Sequence, residues 1–301
     1  QKYFQEEVID LDRCLSHKDV EVLGIEIMDS TKGEMIEQQL EKISKRVGVP
    51  VQIVADNGSD LAKGIKLYQQ KYPDLIYTHD VTHAMALILK KQLNLDERYQ
   101  SFIKECNNCR QKLQQTELDF LAPPAQRSQC RYFNIERLTE WASNLLKSST
   151  ETLMVLMPDF DESSIAEKMI EKLEWLTEYE LDIIKWNRML LLTRGVETHL
   201  KKSGISNQSP SEISEYQVVF SDDFLQTFYQ HVFDYVTIQA DKFKNKDVFL
   251  ASSDVIESLF GKYKHFSSRC PLKEMGQMIL TIYLSTIDLT TNLIKNALET
   301  I

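Results

Sequence analysis

Between Asp19 and Leu95, short β-branched runs alternate with stretches of helical period, and no other pattern in the chain restricts its fold so strongly. Val20, Val22, Leu23, Ile25 and Ile27 predict a strand, and Met35, Ile36, Leu40, Ile43 and Val47 are spaced for an amphipathic helix. Gly48-Val49-Pro50 breaks that helix, Val51 to Ala55 reads as a short buried strand, and Asp56-Asn57-Gly58 is a turn. Ser59 is placed to cap a helix with Leu61, Ile65, Leu67 and Tyr68 on its apolar face. Leu75 to Thr78 forms the next strand and ends at His79-Asp80, before a helix from His83 to Leu93 that Thr82 could cap. Strand, helix, strand and helix with short connections imply parallel pairing through right-handed crossovers. Asp56 and Asp80 then stand at the C-terminal tips of successive strands, the edge where open α/β sheets bind ligands.

Beyond Leu95 the pattern becomes helical. Asp96 to Leu118 and Asn134 to Leu146 read as helices, separated by a break at Ala122-Pro123-Pro124-Ala125. Ser163 to Lys202 has no proline and the single glycine Gly195, as expected of a long helix or helical hairpin. Asp222 to Lys242, Ser252 to Tyr263 and Leu272 to Ile301 are further helices, and Ser203 to Ser214 is the best candidate for a mobile loop. The domain reading is therefore 1–94 as a first α/β part, 95–248 as a helical insertion and 249–301 as helices that complete the core.

At 301 residues, with 43% hydrophobic and 27% charged residues, the chain can bury a full core. Nine glycines and seven prolines argue against a many-turned β-sandwich. No apolar run is long enough for a bilayer. Five cysteines, an odd number, fit a reducing cytoplasm better than a disulfide framework. Cys106-Asn107-Asn108-Cys109 has metal spacing, with Cys130 and His83 as its candidate partners; two helical thiols are the simpler reading. The chain opens Gln1-Lys2-Tyr3-Phe4 without Met, which suggests a trimmed N-terminus. A net charge of −10 opposes the approach of DNA, although metal-dependent nucleases concentrate carboxylates at their sites.

Two segments carry candidate chemistry. Asp56, at a strand tip before a turn and a helix, can present both carboxylate oxygens to a metal ion; Asp-Asn-Gly is equally a good turn. Far downstream, Ser253 or Asp254 can cap a helix with Glu257 on its first turns, and Gly261 and Lys264 lie on roughly the same face. An acid and a cation on one face suit metal and phosphate, or form an ordinary surface pair. Asp80 and His83 could contact metal or phosphate, or Asp80 could cap the helix in which His83 lies. Arg127, Arg131 and Arg137 with Tyr132 and Phe133 form a basic and aromatic cluster able to grip a DNA backbone, or to pack a loop. Trp141, Trp175 and Trp186 stack on a base or pack a core. Lys90, Lys91, Lys262, Lys264 and Arg269 are phosphate contacts or solvated charges.

Seven short stations carry a resemblance. They run from Arg13 to Val20, Asp56 to Ile65, Tyr77 to His83, Gln114 to Leu118, Pro123 to Ser128, Arg131 to Asn134 and Ser253 to Lys262. In order and spacing the chain resembles the DDE transposases of bacterial insertion sequences, in particular a group common in cyanobacteria. The resemblance implies a ribonuclease-H-like α/β mixed-sheet core interrupted by a large all-α insertion. It implies that Asp56 is the second acid of a triad and Glu257 the third. The first acid belongs on a strand expected upstream of Gln1, and Asp10 is its substitute within the chain. Two Mg²⁺ or Mn²⁺ ions are the implied cofactors. Double-stranded DNA and further copies of the chain are the implied partners, in a bacterial, nucleoid-associated setting without a membrane. Arg127, Arg131, Lys262, Lys264 and His83 become candidate DNA contacts. A catalytically inactive, transposase-derived DNA-binding or scaffold protein is the alternative. A helical interaction protein unrelated to DNA is a third reading.

Overall fold

The computed structural model describes residues 15–26, 30–126, 135–148, 162–216, 222–243 and 247–267, with 282, 284, 286–287 and 290–299. It is mostly helical, and among the described residues it holds two short parallel strands. The expected ribonuclease-H-like mixed sheet is therefore corrected. Two units share the chain: 1–84, 197–211 and 236–301 form the first, and 85–196 with 212–235 the second. No helix among the described residues is long and apolar enough to cross a membrane.

In the first unit, α1 (Gly33–Val47) and α2 (Ser59–Lys71) flank β1 (Gln52–Ala55), which pairs in parallel with β2 (Ile76–His79). The register runs from Gln52 opposite Ile76 to Ala55 opposite His79. Gly48, at φ 90°, ends α1 and returns its N–H to the Ser44 carbonyl at 2.9 Å, a backbone that favours glycine. The two helices pack closely because Gly64 has no side chain: a Cβ there would lie 2.6 Å from Ile36 Cβ and 2.7 Å from the Gly33 carbonyl. Lys63 with Glu34 and Lys71 with Glu37 close the same seam at 2.6 Å each. Ala62, Ile65 and Tyr77 form the small core beneath.

The described residues 20–26 form no strand where one was expected over Val20 to Ile27. Val20, Val22 and Ile25 are half-buried with exposed residues between them, and Val22 and Ile25 pack near Leu259 and Ile282. Enrichment in β-branched residues favours an extended backbone; it does not supply a ladder partner. The described backbone here is met instead by a side chain, Arg46 Nη1 donating to the Leu23 carbonyl at 3.3 Å.

Helix α3 (Val81–Leu95) follows β2 directly. In the second unit α4 (Glu97–Leu113), α5 (Ile135–Lys147) and α6 (Glu162–Leu173) surround an aliphatic cluster of Leu113, Leu118, Leu121 and Leu173. Where Ser163 to Lys202 was expected to be a long helix or a helical hairpin, there are two helices: a 3₁₀ turn over Glu174–Tyr179 separates α6 from α7 (Glu180–Ser203). Neither glycine nor proline marks the break. Within it, Trp175 Nε1 donates to the Lys172 carbonyl at 3.1 Å and Thr177 to the Glu174 carbonyl at 2.7 Å, satisfying groups the helix would have used. All three tryptophans pack rather than project: Trp186 is fully buried, edge-on to Tyr99, and donates to Asp96 Oδ2 at 2.9 Å, while Trp141 donates to the Leu121 carbonyl. Cys106 and Cys109 are buried free thiols, and burial pushes both upward in pKa.

The expected loop at Ser203 to Ser214 is ordered and partly buried. Gly204, at φ 76°, turns the chain, and Ile205 forms an antiparallel bridge with Phe249. Buried Ser206 and Ser209 bond to each other before α8 (Ser209–Ser214). Helix α9 (Asp223–Ala240), α10 (Asp254–Ser267) and α11 (Thr291–Glu299) complete the described helices.

Candidate functional site

β1 delivers its chain end at Ala55, and Asp56 follows, exposed, in the turn before α2. Gly58, not Ser59, is the N-cap of α2 and makes no side-chain cap. Asp56 Oδ1 lies 3.6 Å from the point a Gly58 Cβ would occupy, so the carboxylate is turned toward the start of that helix. Tyr77 donates its hydroxyl to the Asp56 carbonyl at 3.3 Å. Burial first, then the Asp56 charge, pushes the phenol up to about 12, so it remains a donor at neutral pH.

β2 ends one register step away, and its Asp80 N–H donates to the Ala55 carbonyl at 2.9 Å. The Asp80 side chain, 1% exposed, is the structural hub. Oδ1 accepts from His83 N at 2.8 Å and caps α3, the role that Thr82 was expected to fill. Oδ2 accepts from Ser253 N at 2.6 Å, Ser253 Oγ at 2.8 Å and Ser252 Oγ at 3.2 Å. Burial alone would raise this carboxyl; the bonds from Ser253, His83 and Ser252 outweigh it and hold the group below the usual carboxylate range. Of the two roles open to Asp80 in the sequence, the structure gives it helix capping and the tethering of α10.

That tether fixes the start of α10. Asp254 opens the helix with its N–H on Ser252 Oγ at 3.1 Å, and accepts from Thr82 Oγ1 at 3.2 Å. Lys201 reaches both Asp254 and Glu197, the latter at 2.5 Å. Burial opposes the Lys201 charge, and the two carboxylates more than restore it, so its pKa is raised. Glu257, half-buried, stands one turn into α10, its N–H directed to the Ser253 carbonyl at 3.4 Å. The turn bearing Asp56 and the first turn of α10 are thus both joined to the tip of β2.

The remaining expectations distribute as follows. His83 is half-buried in the first turn of α3, and its backbone rather than its ring contacts Asp80. Asp10, Arg127 and Arg131 lie outside the described residues, as do the side chains of Lys262 and Lys264. Among the described residues no group of three His, Cys, Asp or Glu side chains is arranged to hold a metal ion. The sequence reading missed Gln52, Lys201, Gln239 and Lys242. Gln52 Nε2 donates to Thr78 Oγ1 at 2.7 Å and the Leu250 carbonyl at 2.8 Å, while its Oε1 accepts from Leu250 N at 3.1 Å. No local pattern could have indicated a partner 198 positions away.

Compared with models of known protein families, with curated proteins and with solved structures, the chain matches none.

Proposed function

We propose that the chain is part of a DNA transposase, with Asp56 and Glu257 as two carboxylates of a metal-dependent phosphoryl-transfer site. One observation carries the reading: the Asp80 side chain binds Ser252 and Ser253, so the first turn of α10 adjoins the strand edge that Asp56 follows. An acid at a strand tip and an acid on a helix tied to that tip are what such a site requires, and the seven sequence stations agree with it.

Two carboxylates suit Mg²⁺ or Mn²⁺ in donor chemistry, because a hard ion that keeps most of its water needs only one or two of them. Asp80 is not a third ligand, since its oxygens already accept four hydrogen bonds. A second ion therefore calls for another acid, and Asp10 is the candidate. Bound metal supplies charge neutralisation at phosphorus and lowers the pKa of coordinated water. Asp56 and Glu257 hold and orient it, Lys262, Lys264, Arg127, Arg131 and His83 are the proposed contacts to the DNA backbone, and Tyr77 keeps the Asp56 turn against β2. Double-stranded DNA, self-association on paired ends and a bacterial nucleoid setting belong to the same proposal.

The test is Mn²⁺-dependent cleavage and strand joining on DNA bearing the element's ends, with Asp56→Ala and Glu257→Ala as controls. Activity lost in both variants supports the assignment, and activity retained in either overturns it. A second reading, the inactive DNA-binding or scaffold descendant, is favoured by the lack of a three-donor group among the described residues. It expects salt-dependent DNA retention without cleavage, unchanged by either substitution.

A further inference from the structure

We propose that a cavity flanking β2 in the first unit, separate in its residues from Asp56 and Glu257, binds the phosphate group of a small organic phosphate ester. The cavity measures about 620 Å³, within the range of small-molecule sites and far larger than a phosphate alone. α2 contributes Lys66, β2 contributes Tyr77 and His79, and the turn after α9 contributes Lys242. Leu75, Phe243 and Phe249 give it an apolar wall, the two phenylalanine rings stacked at 4.6 Å.

Three groups able to carry positive charge meet here. Lys242 Nζ donates to the Tyr77 carbonyl and to Gln239 Oε1, each at 2.7 Å. Both acceptors are neutral, and among the described residues neither Lys242 nor Lys66 forms an ion pair, so dipoles hold the Lys242 charge and no carboxylate cancels it. Gln239 also accepts from His79 N at 3.1 Å, which fixes the outer edge of β2 and the ammonium together. Burial lowers the His79 pKa first, and the nearby charges of Lys242 and Lys66 lower it further. Asp74 and Asp247 also line the cavity. Lys242 Nζ lies 5.8 Å from the Tyr77 ring centroid and the Tyr77 and His79 rings are 5.1 Å apart, so Lys242 and His79 meet on the β2 wall of the cavity. An incoming phosphate would take up the remaining Lys242 proton and the Lys66 ammonium, in charge-assisted bonds stronger than neutral ones. The volume and the apolar wall leave room for the organic part.

The experiment is calorimetric titration of the full chain with 2′-deoxyadenosine 5′-monophosphate, orthophosphate and 2′-deoxyadenosine, repeated with Lys66→Gln, Lys242→Met and Asp56→Ala. Saturable monophosphate binding is expected, with the nucleoside at least ~10-fold weaker, the loss of a charged hydrogen-bond partner. Lys66→Gln, an exposed change that does not threaten folding, weakens the monophosphate by about the same factor, as does Lys242→Met. Asp56→Ala leaves it unchanged, so this result is read independently of the transposase proposal. Orthophosphate binding that is weaker than the monophosphate supports an organic ester as the ligand; equal binding supports a free anion, with the phosphate site itself intact. No monophosphate binding to folded protein, equal nucleoside binding, indifference to both lysine substitutions, or loss in Asp56→Ala alone overturns the proposal.

Discussion

Replacing Asp80 by Asn tests whether one carboxylate holds α10 to the strand edge. The side chain keeps its shape and loses one acceptor. With the amide oxygen turned toward Ser253, the amide nitrogen faces the His83 N–H, two donors opposed, and a buried N–H is left unsatisfied at about 1–3 kcal/mol. The bonds from Ser252 and Ser253 persist but lose their charge, about a further 1 kcal/mol in all. The opposite orientation strands the Ser253 N–H and is worse. A loss of about 3 kcal/mol follows, so local opening at the start of α10 rises ~100-fold. Hydrogen exchange measured by mass spectrometry on a peptide spanning Ser252 to Leu259 reads this directly, with the exposed Asp56→Asn as a silent control. The sign with pH is fixed too. A carboxyl held below its unfolded value stabilises the fold above the ordinary carboxylate pKa, and that contribution is lost as pH falls through the folded value. Asp80→Asn should abolish this acid dependence. Exchange within about threefold of the wild type, in folded protein, would refute the reasoning.

Gly64→Ala should destabilise the first unit by about 2 kcal/mol, because its new methyl meets Ile36 and the Gly33 carbonyl, whereas Gly261→Ala, with nothing within 4 Å, should gain up to about 1 kcal/mol of helix propensity; urea unfolding compares them. The Lys242 ε-carbon, followed by NMR, should titrate near 8, because burial takes charge from an ammonium with neutral partners; a midpoint at the ordinary lysine value refutes this. Cys106 should resist a disulfide reagent in the native protein and react only on unfolding, since burial disfavours its thiolate.

The local pattern was legible where a residue's neighbours decided its structure. Gly48-Val49-Pro50 ends α1, the β-branched run Gln52–Ala55 forms β1, and Asp56 and Asp80 follow strand ends as read. It failed where distant partners decide. Val20 to Ile27 is rich in β-branched residues, but the described residues 20–26 form no strand there. Ser163 to Lys202 was open to a long helix or a hairpin, and the 3₁₀ turn at Glu174–Tyr179, with its local tryptophan and threonine hydrogen bonds, is a position that no periodicity encodes. Ser203 to Ser214 looks polar and mobile, yet its serines bond one another while the bridge to Phe249 anchors Ile205. Asp80 was weighed as ligand or cap; its bonds to Ser252 and Ser253 became visible only once the chain was folded.

Those bonds join residues 172 and 173 positions apart, and the first unit is written in three pieces of sequence. On a ribosome adding about 5–20 residues per second, the strand pair would emerge ~10–30 s before its tether. For that interval the tip of β2 carries a carboxylate without its serine donors, beside an unfinished core. Slower synthesis lengthens this exposure, and a chaperone that shields residues 52–80 until α10 emerges would shorten it. Yield in a cell should therefore depend on translation speed across the second unit, even under synonymous codon changes that leave every contact in the finished molecule the same.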